Sequence, residues 1–165
     1  MAKHDGPSYM RIDKSCAGFK ASANDDVQIG KAREILRGKD VCFIGIGGIL
    51  SECVKAVEVL QKQNISAGVV EMATIKPIDA AAILAVAGRS SLIVTVEEHS
   101  VIGGLGGAVA EIMADNGCGV PLLRIGLQDT YSSVVGSQDY LRSYYEMDSP
   151  AIVERVSTAL EAIKC

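Results

Sequence analysis

The sequence contains no tryptophan and only two phenylalanines among its 165 residues. Because the hydrophobic fraction is nevertheless 48%, the core must be built from aliphatic side chains. No apolar run approaches the roughly 18 residues that a membrane helix needs, and the polar start MAKHDGPSYM lacks the apolar segment of a signal peptide. We therefore expect a soluble protein that does not contact membranes and is located in the cytoplasm.

Clusters of basic residues are also missing. The chain has 16 Lys and Arg against 20 Asp and Glu, for a net charge of -4, so it lacks the basic footprint of a nucleic-acid-binding protein. Its five cysteines form no C-x-x-C pair, and its two histidines, His4 and His99, show no recognisable metal-ligand spacing. We expect reduced thiols, no metal site and no nucleic-acid partner.

From Asp40 onward, short apolar runs alternate with amphipathic stretches, which is typical of β-α units around a mostly parallel sheet. The length fits one domain. Four runs predict strands: VCFIGIG (41–47), AGVVEM (67–72), SLIVTVEE (91–98) and PLLRIGL (121–127). Helices are predicted from Leu50 to Asn64, at AAAILAVAG (80–88) after a capping Asp79, and at GGLGGAVAEIMADNG (103–117).

The two ends of the chain give signals of unequal strength. Ser149 and Pro150 predict an N-cap and a first-turn proline for a final helix with one apolar stripe. VQIGKAREI (27–35) fits either a short strand or the start of a helix. PSYMRI (7–12) is typical of a strand, and a strand without neighbours would be unstable.

The carboxyl ends of parallel strands meet at one edge of a sheet, where ligands bind. Three segments should converge there: residues 45–48, 97–100 and 126–129. The candidate residues at this carboxyl edge are His99, Glu98 and Asp129. A histidine flanked by carboxylates has the means to act as an acid or base near neutral pH. A histidine that only hydrogen-bonds locally at a strand end is the alternative.

Two glycine-rich turns raise the question of phosphate binding. Gly45 and Gly47 follow a strand, and Glu71 ends the next one, as in a dinucleotide-binding pattern, but Leu50 stands where the third glycine belongs. Nucleotide binding is therefore the less favoured interpretation.

The second turn, GGLGG, lies at a helix N-terminus, which favours anions, yet no Lys or Arg follows it. Glu97 and Glu98 could satisfy that helix end themselves. We interpret Gly103, Gly104, Gly106 and Gly107 as an interface turn that lets another protein backbone approach.

Several segments together resemble the C-terminal part of transketolase-family enzymes. They are GPSYMR, IGKAREILRGKDVCFIGIGG, ATIKPID, VTVEEHSVIGGLGGAVAE, LLRIGLQDTY and the final helix, in this order and at compatible spacing. The group includes transketolase, 1-deoxyxylulose-5-phosphate synthase and the β subunits of 2-oxoacid dehydrogenases. The resemblance implies a three-layer α/β/α domain with a mixed five-stranded sheet, whose first strand, here VQIG, is antiparallel to the others.

The resemblance also implies a domain boundary. Residues 1–20 would be the last strand and linker of a preceding pyrimidine-binding domain, and residues 21–165 the transketolase C-terminal domain. The rest of the pyrimidine-binding domain is not in this sequence, and neither is the GDG-type motif through which family members hold thiamine diphosphate and Mg²⁺. By this resemblance the chain alone binds no cofactor, and the isolated chain is expected to be inactive.

The family further implies a function for the complete enzyme, which is two-carbon ketol transfer with thiamine diphosphate and Mg²⁺. The chain would have a structural role, with an N-terminal thiamine-diphosphate-binding subunit or domain as its partner and a homo-oligomeric assembly. Two alternatives stay open. One is a docking module of a 2-oxoacid-dehydrogenase-type complex, and the other is a Rossmann-like nucleotide-binding domain.

Little active-site chemistry carries over from the family to individual residues. Arg11 and Lys14 match an R-x-x-R-like segment whose second basic residue contacts the sugar phosphate, which makes both candidates for substrate-phosphate binding. His99 matches a position that is histidine in many members and asparagine in others, so an indispensable proton-transfer role is disfavoured. No residue of this chain is expected to be catalytic.

Overall fold

The computed structural model describes residues 5–10 and 27–164. The strands are β1 (Arg33–Leu36), β2 (Val41–Gly45), β3 (Ala67–Glu71), β4 (Leu92–Ser100) and β5 (Leu122–Leu127). The helices are α1 (Leu50–Lys62), α2 (Ala80–Ala87), α3 (Leu105–Asp115), α4 (Gln138–Tyr144) and α5 (Ser149–Lys164). A 3-10 turn at Gly47–Ile49 leads from β2 into α1.

The five strands form one mixed sheet in the order β1-β3-β2-β4-β5. β1 pairs antiparallel with β3, and all other neighbours are parallel. The central strand β2 is buried throughout because helices cover both faces of the sheet. Val41 and Phe43 pack into one core with α1 and α5, while Cys42 and Ile44 pack into a second core with α2 and α3. This arrangement confirms the predicted three-layer α/β/α fold.

The resemblance implied that the first strand lies at VQIG, but in the structure the first strand lies at REIL. Ion pairs hold both of its charged residues to remote positions: Arg33 lies 2.7 Å from Glu71, and Glu34 lies 2.7 Å from Arg89. Val27–Gly30 form a turn and the coil before it. Residues 7–10, where a strand was predicted, are exposed and without regular structure.

Two helix ends differ in their agreement with the prediction. Asp79 caps α2 as predicted, with its carboxylate accepting a hydrogen bond from Ala82 N. The α5 helix instead begins at Ser149, and Asp148 accepts from Ala151 N, so Asp148 and not Ser149 is the capping side chain. The predicted domain boundary near residue 20 falls outside the described residues and stays a prediction.

The buried cysteines behave as apolar core residues. Cys42 and Cys53 carry free thiols, and burial raises their pKa values to about 11 and about 12. Both are therefore protonated at neutral pH and poor nucleophiles. Within residues 5–10 and 27–164, no helix has both the length and the apolar character needed to cross a membrane.

Candidate functional site

The parallel strands bring the predicted segments to one edge of the sheet. The register places Gly45 at the end of β2 opposite Val96 of β4, and Val96 opposite Ile125 of β5. The residues that follow each of these strands therefore leave the sheet side by side. Glu97, Glu98 and His99 extend β4 beyond this level, up to Ser100, which pairs with Leu127.

Glu97 occupies the N-terminus of α3. Its side chain is almost completely buried, with 1% of the residue exposed. One carboxylate oxygen accepts a hydrogen bond from Leu105 N and the other from Gly106 N, each at 2.7 Å. A helix N-terminus favours a negative charge, because its first backbone N–H groups have no partner within the helix. Here the carboxylate of Glu97 supplies this negative charge at the N-terminus of α3.

The glycines of the turn fall into two pairs. A Cβ atom on Gly104 would overlap the Glu97 carboxylate, and one on Gly106 would lie 2.8 Å from Thr95 Oγ1. Internal packing therefore accounts for these two glycines. Gly103 has φ +75°, which favours glycine, and a Cβ on Gly107 would meet nothing within 4 Å. The predicted protein interface at this turn thus has open backbone only at Gly103 and Gly107, and it stays a prediction.

Glu98 belongs to a chain of charges that sequence reasoning did not find. One of its oxygens accepts hydrogen bonds from Arg142 Nε at 2.8 Å and from Gln138 Nε2 at 2.9 Å. On its other side, Arg142 lies 3.9 Å from Glu52. Glu52 in turn accepts from Ser149 N at 3.0 Å. These contacts join β4, α4, α1 and α5.

Arg142 is a buried cation, with 8% of its side chain exposed. Burial acts to lower its pKa, but the Glu98 hydrogen bond and the charges of Glu98, Glu52 and Asp139 outweigh that effect and raise it. The guanidinium therefore stays charged, and its partners satisfy it. No local signal could have identified Arg142, because Glu98 and Glu52 are 44 and 90 residues away in the sequence.

His99 and Asp129 are both exposed at this edge. The ring nitrogen Nδ1 of His99 lies 3.2 Å from the carbonyl oxygen of Ser100. Glu97 and Glu98, the carboxylates that precede His99 in sequence, make hydrogen bonds with other groups. His99 thus has a local contact at the strand end, and the choice between an acid or base role and local hydrogen bonding stays a prediction. Arg11 and Lys14 lie outside the described residues.

Side-chain packing fills the space around the dinucleotide-like glycine pattern after β2. The buried Leu50 side chain lies against Gly45, where a Cβ would come 2.9 Å from Leu50 Cδ2. Glu71, the counterpart of a ribose-binding acid, pairs with Arg33. In a dinucleotide site the position of Leu50 would be a glycine and the carboxylate of Glu71 would be free to bind the ribose. Here Leu50 fills the space beside Gly45, and Glu71 is paired.

The described residues also do not fit a Mg²⁺–diphosphate site. Among them, no three His, Cys, Asp or Glu side chains are grouped so that they could hold a metal ion. A diphosphate at the α3 N-terminus would meet the Glu97 carboxylate, and like charges repel there. At this edge of the sheet, the Glu97 carboxylate already occupies two of the backbone N–H groups at the start of α3.

The structure defines the class of protein as a three-layer α/β/α domain with a five-stranded mixed sheet whose first strand is antiparallel to the others. The family model described as "Transketolase, C-terminal domain" matches residues 30–152. The chain therefore belongs to the transketolase C-terminal domain family.

Similar proteins come from archaea and bacteria. A Methanocaldococcus jannaschii protein provisionally named transketolase C-terminal section is 40% identical over 158 residues, which cover 94% of this chain and 49% of that protein. The 6-deoxy-6-sulfo-D-fructose transketolase subunit SqwH of Clostridium sp. is 39% identical over 96% of this chain and 48% of its own length. The chain thus spans about half the length of these relatives.

A solved structure shows the same fold. It is described as a split gene transketolase, inactive beta4 tetramer, and it matches with a TM-score of 0.79 and 32% identity, over 86% of this chain and 46% of that one. A 1-deoxy-D-xylulose-5-phosphate synthase of Syntrophotalea carbinolica is 34% identical over 93% of this chain and 24% of its own length.

Proposed function

We propose that this chain is the C-terminal domain or subunit of a transketolase-like, thiamine-diphosphate-dependent enzyme. The complete enzyme transfers a two-carbon ketol unit between sugar phosphates. This chain has a structural role in it and contributes to the association of subunits. The observation that carries the structural role is the contact of Glu97 with the N-terminus of α3, at 2.7 Å to both Leu105 N and Gly106 N. The amides suited to a coenzyme phosphate are already used by the protein itself.

The length of the relatives supports a partner. They are about twice as long as the matched segment, with 49% and 48% of their lengths covered. We infer that the sections of the enzyme that hold thiamine diphosphate and Mg²⁺ lie in an N-terminal subunit or domain that associates with this chain. The description of the split gene transketolase as a beta4 tetramer also supports self-association in the family.

Calorimetry with thiamine diphosphate and Mg²⁺ tests whether the isolated chain binds the cofactor. We expect no heat of binding from the isolated chain, because no three metal-ligand side chains are grouped among its described residues and Glu97 occupies the N-terminus of α3. The Glu97→Gln variant serves as a comparison, since it removes the competing charge from that helix end. Micromolar affinity of the unmodified chain for thiamine diphosphate would contradict the proposal.

A further inference from the structure

An open cleft lies between helix α4 and the N-terminal ends of α1 and α5. Its volume is about 390 Å³, which is within the range of small-molecule sites. We call it the charged cleft, because five of the described residues that line it carry a charge: Glu52, Lys55, Asp139, Arg142 and Asp148. The function proposed above makes no use of this cleft.

The carboxylates around Arg142 balance its charge but do not use all of its hydrogen-bond donors. The side chain is 8% exposed, and its Nε donates to Glu98 at 2.8 Å. Nη1 lies 3.9 Å from an oxygen of Glu52 and 3.9 Å from one of Asp139, which is too far for a hydrogen bond. Among the described residues, no acceptor is hydrogen-bonded to Nη1 or Nη2. A guanidinium with open N–H groups on one side is suited to binding a carboxylate.

Two acidic side chains of the charged cleft have open acceptors as well. The Asp139 carboxylate has only the 3.9 Å ion pair with Arg142 among the described residues. Asp148 accepts a hydrogen bond from Ala151 N through Oδ1 at 3.2 Å, which leaves its Oδ2 to the cleft. The cleft therefore presents open cationic donors and open anionic acceptors together.

The distribution of charge selects the class of ligand. Glu52 and Lys55 balance each other at 2.7 Å, and Glu52 also accepts from Ser149 N at 3.0 Å. A purely anionic ligand on Arg142 would be repelled by the two open carboxylates, and a purely cationic ligand would be repelled by the guanidinium. A neutral polyol would form the weaker hydrogen bonds of uncharged groups. A ligand that carries both charges gains from both sides of the cleft.

We propose that the charged cleft binds a zwitterion of the α-amino-acid class. The ligand carboxylate accepts from Nη1 and Nη2 of Arg142, and the ligand ammonium donates to Asp139 and Asp148. An α-amino acid carries its two charges on one carbon, which suits a cleft where Arg142 Nη1 and Asp139 Oδ1 are 3.9 Å apart. Binding replaces that long ion pair with charge-assisted hydrogen bonds. This site goes beyond the proposed function and does not rest on it.

Calorimetric titration of the full chain with glycine, L-serine and L-glutamine tests the site. Each amino acid is compared with its amide, which lacks the carboxylate, and with its N-acetyl derivative, which lacks the ammonium. We expect at least one amino acid to bind saturably and both of its derivatives to bind about tenfold more weakly, because each loses a charge-assisted contact. No binding by any of the three, or equal binding by the derivatives, would overturn the proposal. Tighter binding of inorganic phosphate or of erythritol would show the ligand to be an anion or a polyol and would overturn it too.

Two variants locate the bound amino acid. Asp139→Asn, at a side chain that is 92% exposed, should weaken binding about tenfold, because an uncharged amide replaces the partner of the ammonium. Arg142→Lys keeps a cation opposite Glu98 but lacks the planar pair of Nη groups, and it should weaken binding by a similar factor. Glu154→Gln, at an exposed residue of α5 outside the cleft, is the matched control and should leave the affinity unchanged. Thermal unfolding verifies that each variant folds. An affinity that Asp139→Asn leaves unchanged would place the amino acid elsewhere and overturn the proposed site.

Discussion

Glu97 and Gly106 are nine residues apart in sequence, and Glu97 Oε1 accepts a hydrogen bond from Gly106 N at 2.7 Å. This contact and the one to Leu105 N join the end of β4 to the start of α3 through one buried carboxylate. A buried carboxylate without partners would be strongly destabilising, so these two hydrogen bonds offset the burial of Glu97. These hydrogen bonds determine how substitutions at the β4–α3 connection change the stability of the protein.

Glu97→Gln should lower the free energy of unfolding by about 2–3 kcal/mol, because hydrogen bonds to charged groups are the stronger ones and an amide NH₂ would face the helix N–H donors. Urea denaturation measures the loss. Glu111→Gln, at an exposed position of the same helix, should stay within about 0.5 kcal/mol of wild type. Equal effects of the two substitutions would disprove the role given to Glu97.

Gly106→Ala and Gly107→Ala are neighbouring substitutions with opposite expected signs. The alanine Cβ at position 106 would crowd Thr95 Oγ1 and Arg124 Cδ, at 2.8 Å and 3.0 Å, and should destabilise the protein by about 1–3 kcal/mol. The Cβ at position 107 meets nothing within 4 Å and should stabilise α3 by up to about 1 kcal/mol. Thermal unfolding of both variants checks the contrast. The same sign for both would contradict the packing account.

Gly107→Ala also separates stability from association. If the open backbone at Gly103 and Gly107 forms the predicted interface, the more stable Gly107→Ala variant should bind the N-terminal polypeptide more weakly than wild type does. Calorimetric titration of both forms measures this difference. Unchanged affinity would remove Gly107 from the interface.

Arg142→Met should destabilise the protein by about 1–3 kcal/mol, because it removes the cation that pairs with Glu98 at 2.8 Å, while Glu52 keeps its ion pair with Lys55 at 2.7 Å. Asp139→Asn is the control, since that side chain is 92% exposed and lies 3.9 Å from the guanidinium. Denaturant titration followed by circular dichroism gives both values. A loss no larger than that of the control would show that the buried chain of charges does not stabilise α4.

Asp79 makes stability depend on pH. A hydrogen bond from Ala32 N is the largest cause that lowers the pKa of its carboxyl group, and the one from Ala82 N adds to it against the opposing effect of burial. Because the folded pKa lies below the unfolded one, this stabilisation is present above the unfolded pKa of about 3.9 and is lost as the pH falls through the folded value.

Asp79→Ala should therefore cost about 1–2 kcal/mol at pH 7, and the difference from wild type should shrink steadily below about pH 4. Unfolding curves at several pH values measure it. A difference that is constant from pH 7 to low pH would contradict the assigned cause.

Most of the fold followed from the sequence because its apolar pattern is strong. The strands β2 to β5 and helices α1, α2, α3 and α5 were all predicted, with boundaries close to those observed. The short α4 was missed because its buried residue is Arg142, and only contacts with remote carboxylates make that burial favourable. β1 was misplaced for the same reason, since Arg33 and Glu34 find their partners at Glu71 and Arg89.

The site was predictable only where its contacts are local. Glu97 lies a few residues before the helix that it satisfies, so its interaction with the α3 N-terminus followed from order along the chain. The pairing of Glu98 with Arg142 spans 44 residues and depends on how α4 folds back over the sheet. Periodicity carries no information about such a contact.

The central claim is that this chain completes a transketolase-type enzyme without supplying its coenzyme chemistry. The most direct measurement is the rate of two-carbon ketol transfer in the presence of thiamine diphosphate and Mg²⁺, for this chain, for the N-terminal polypeptide, and for their mixture. The account predicts no activity from this chain alone and a rate for the mixture well above that of the N-terminal polypeptide. A mixture no faster than the N-terminal polypeptide, or turnover by this chain alone, would contradict it.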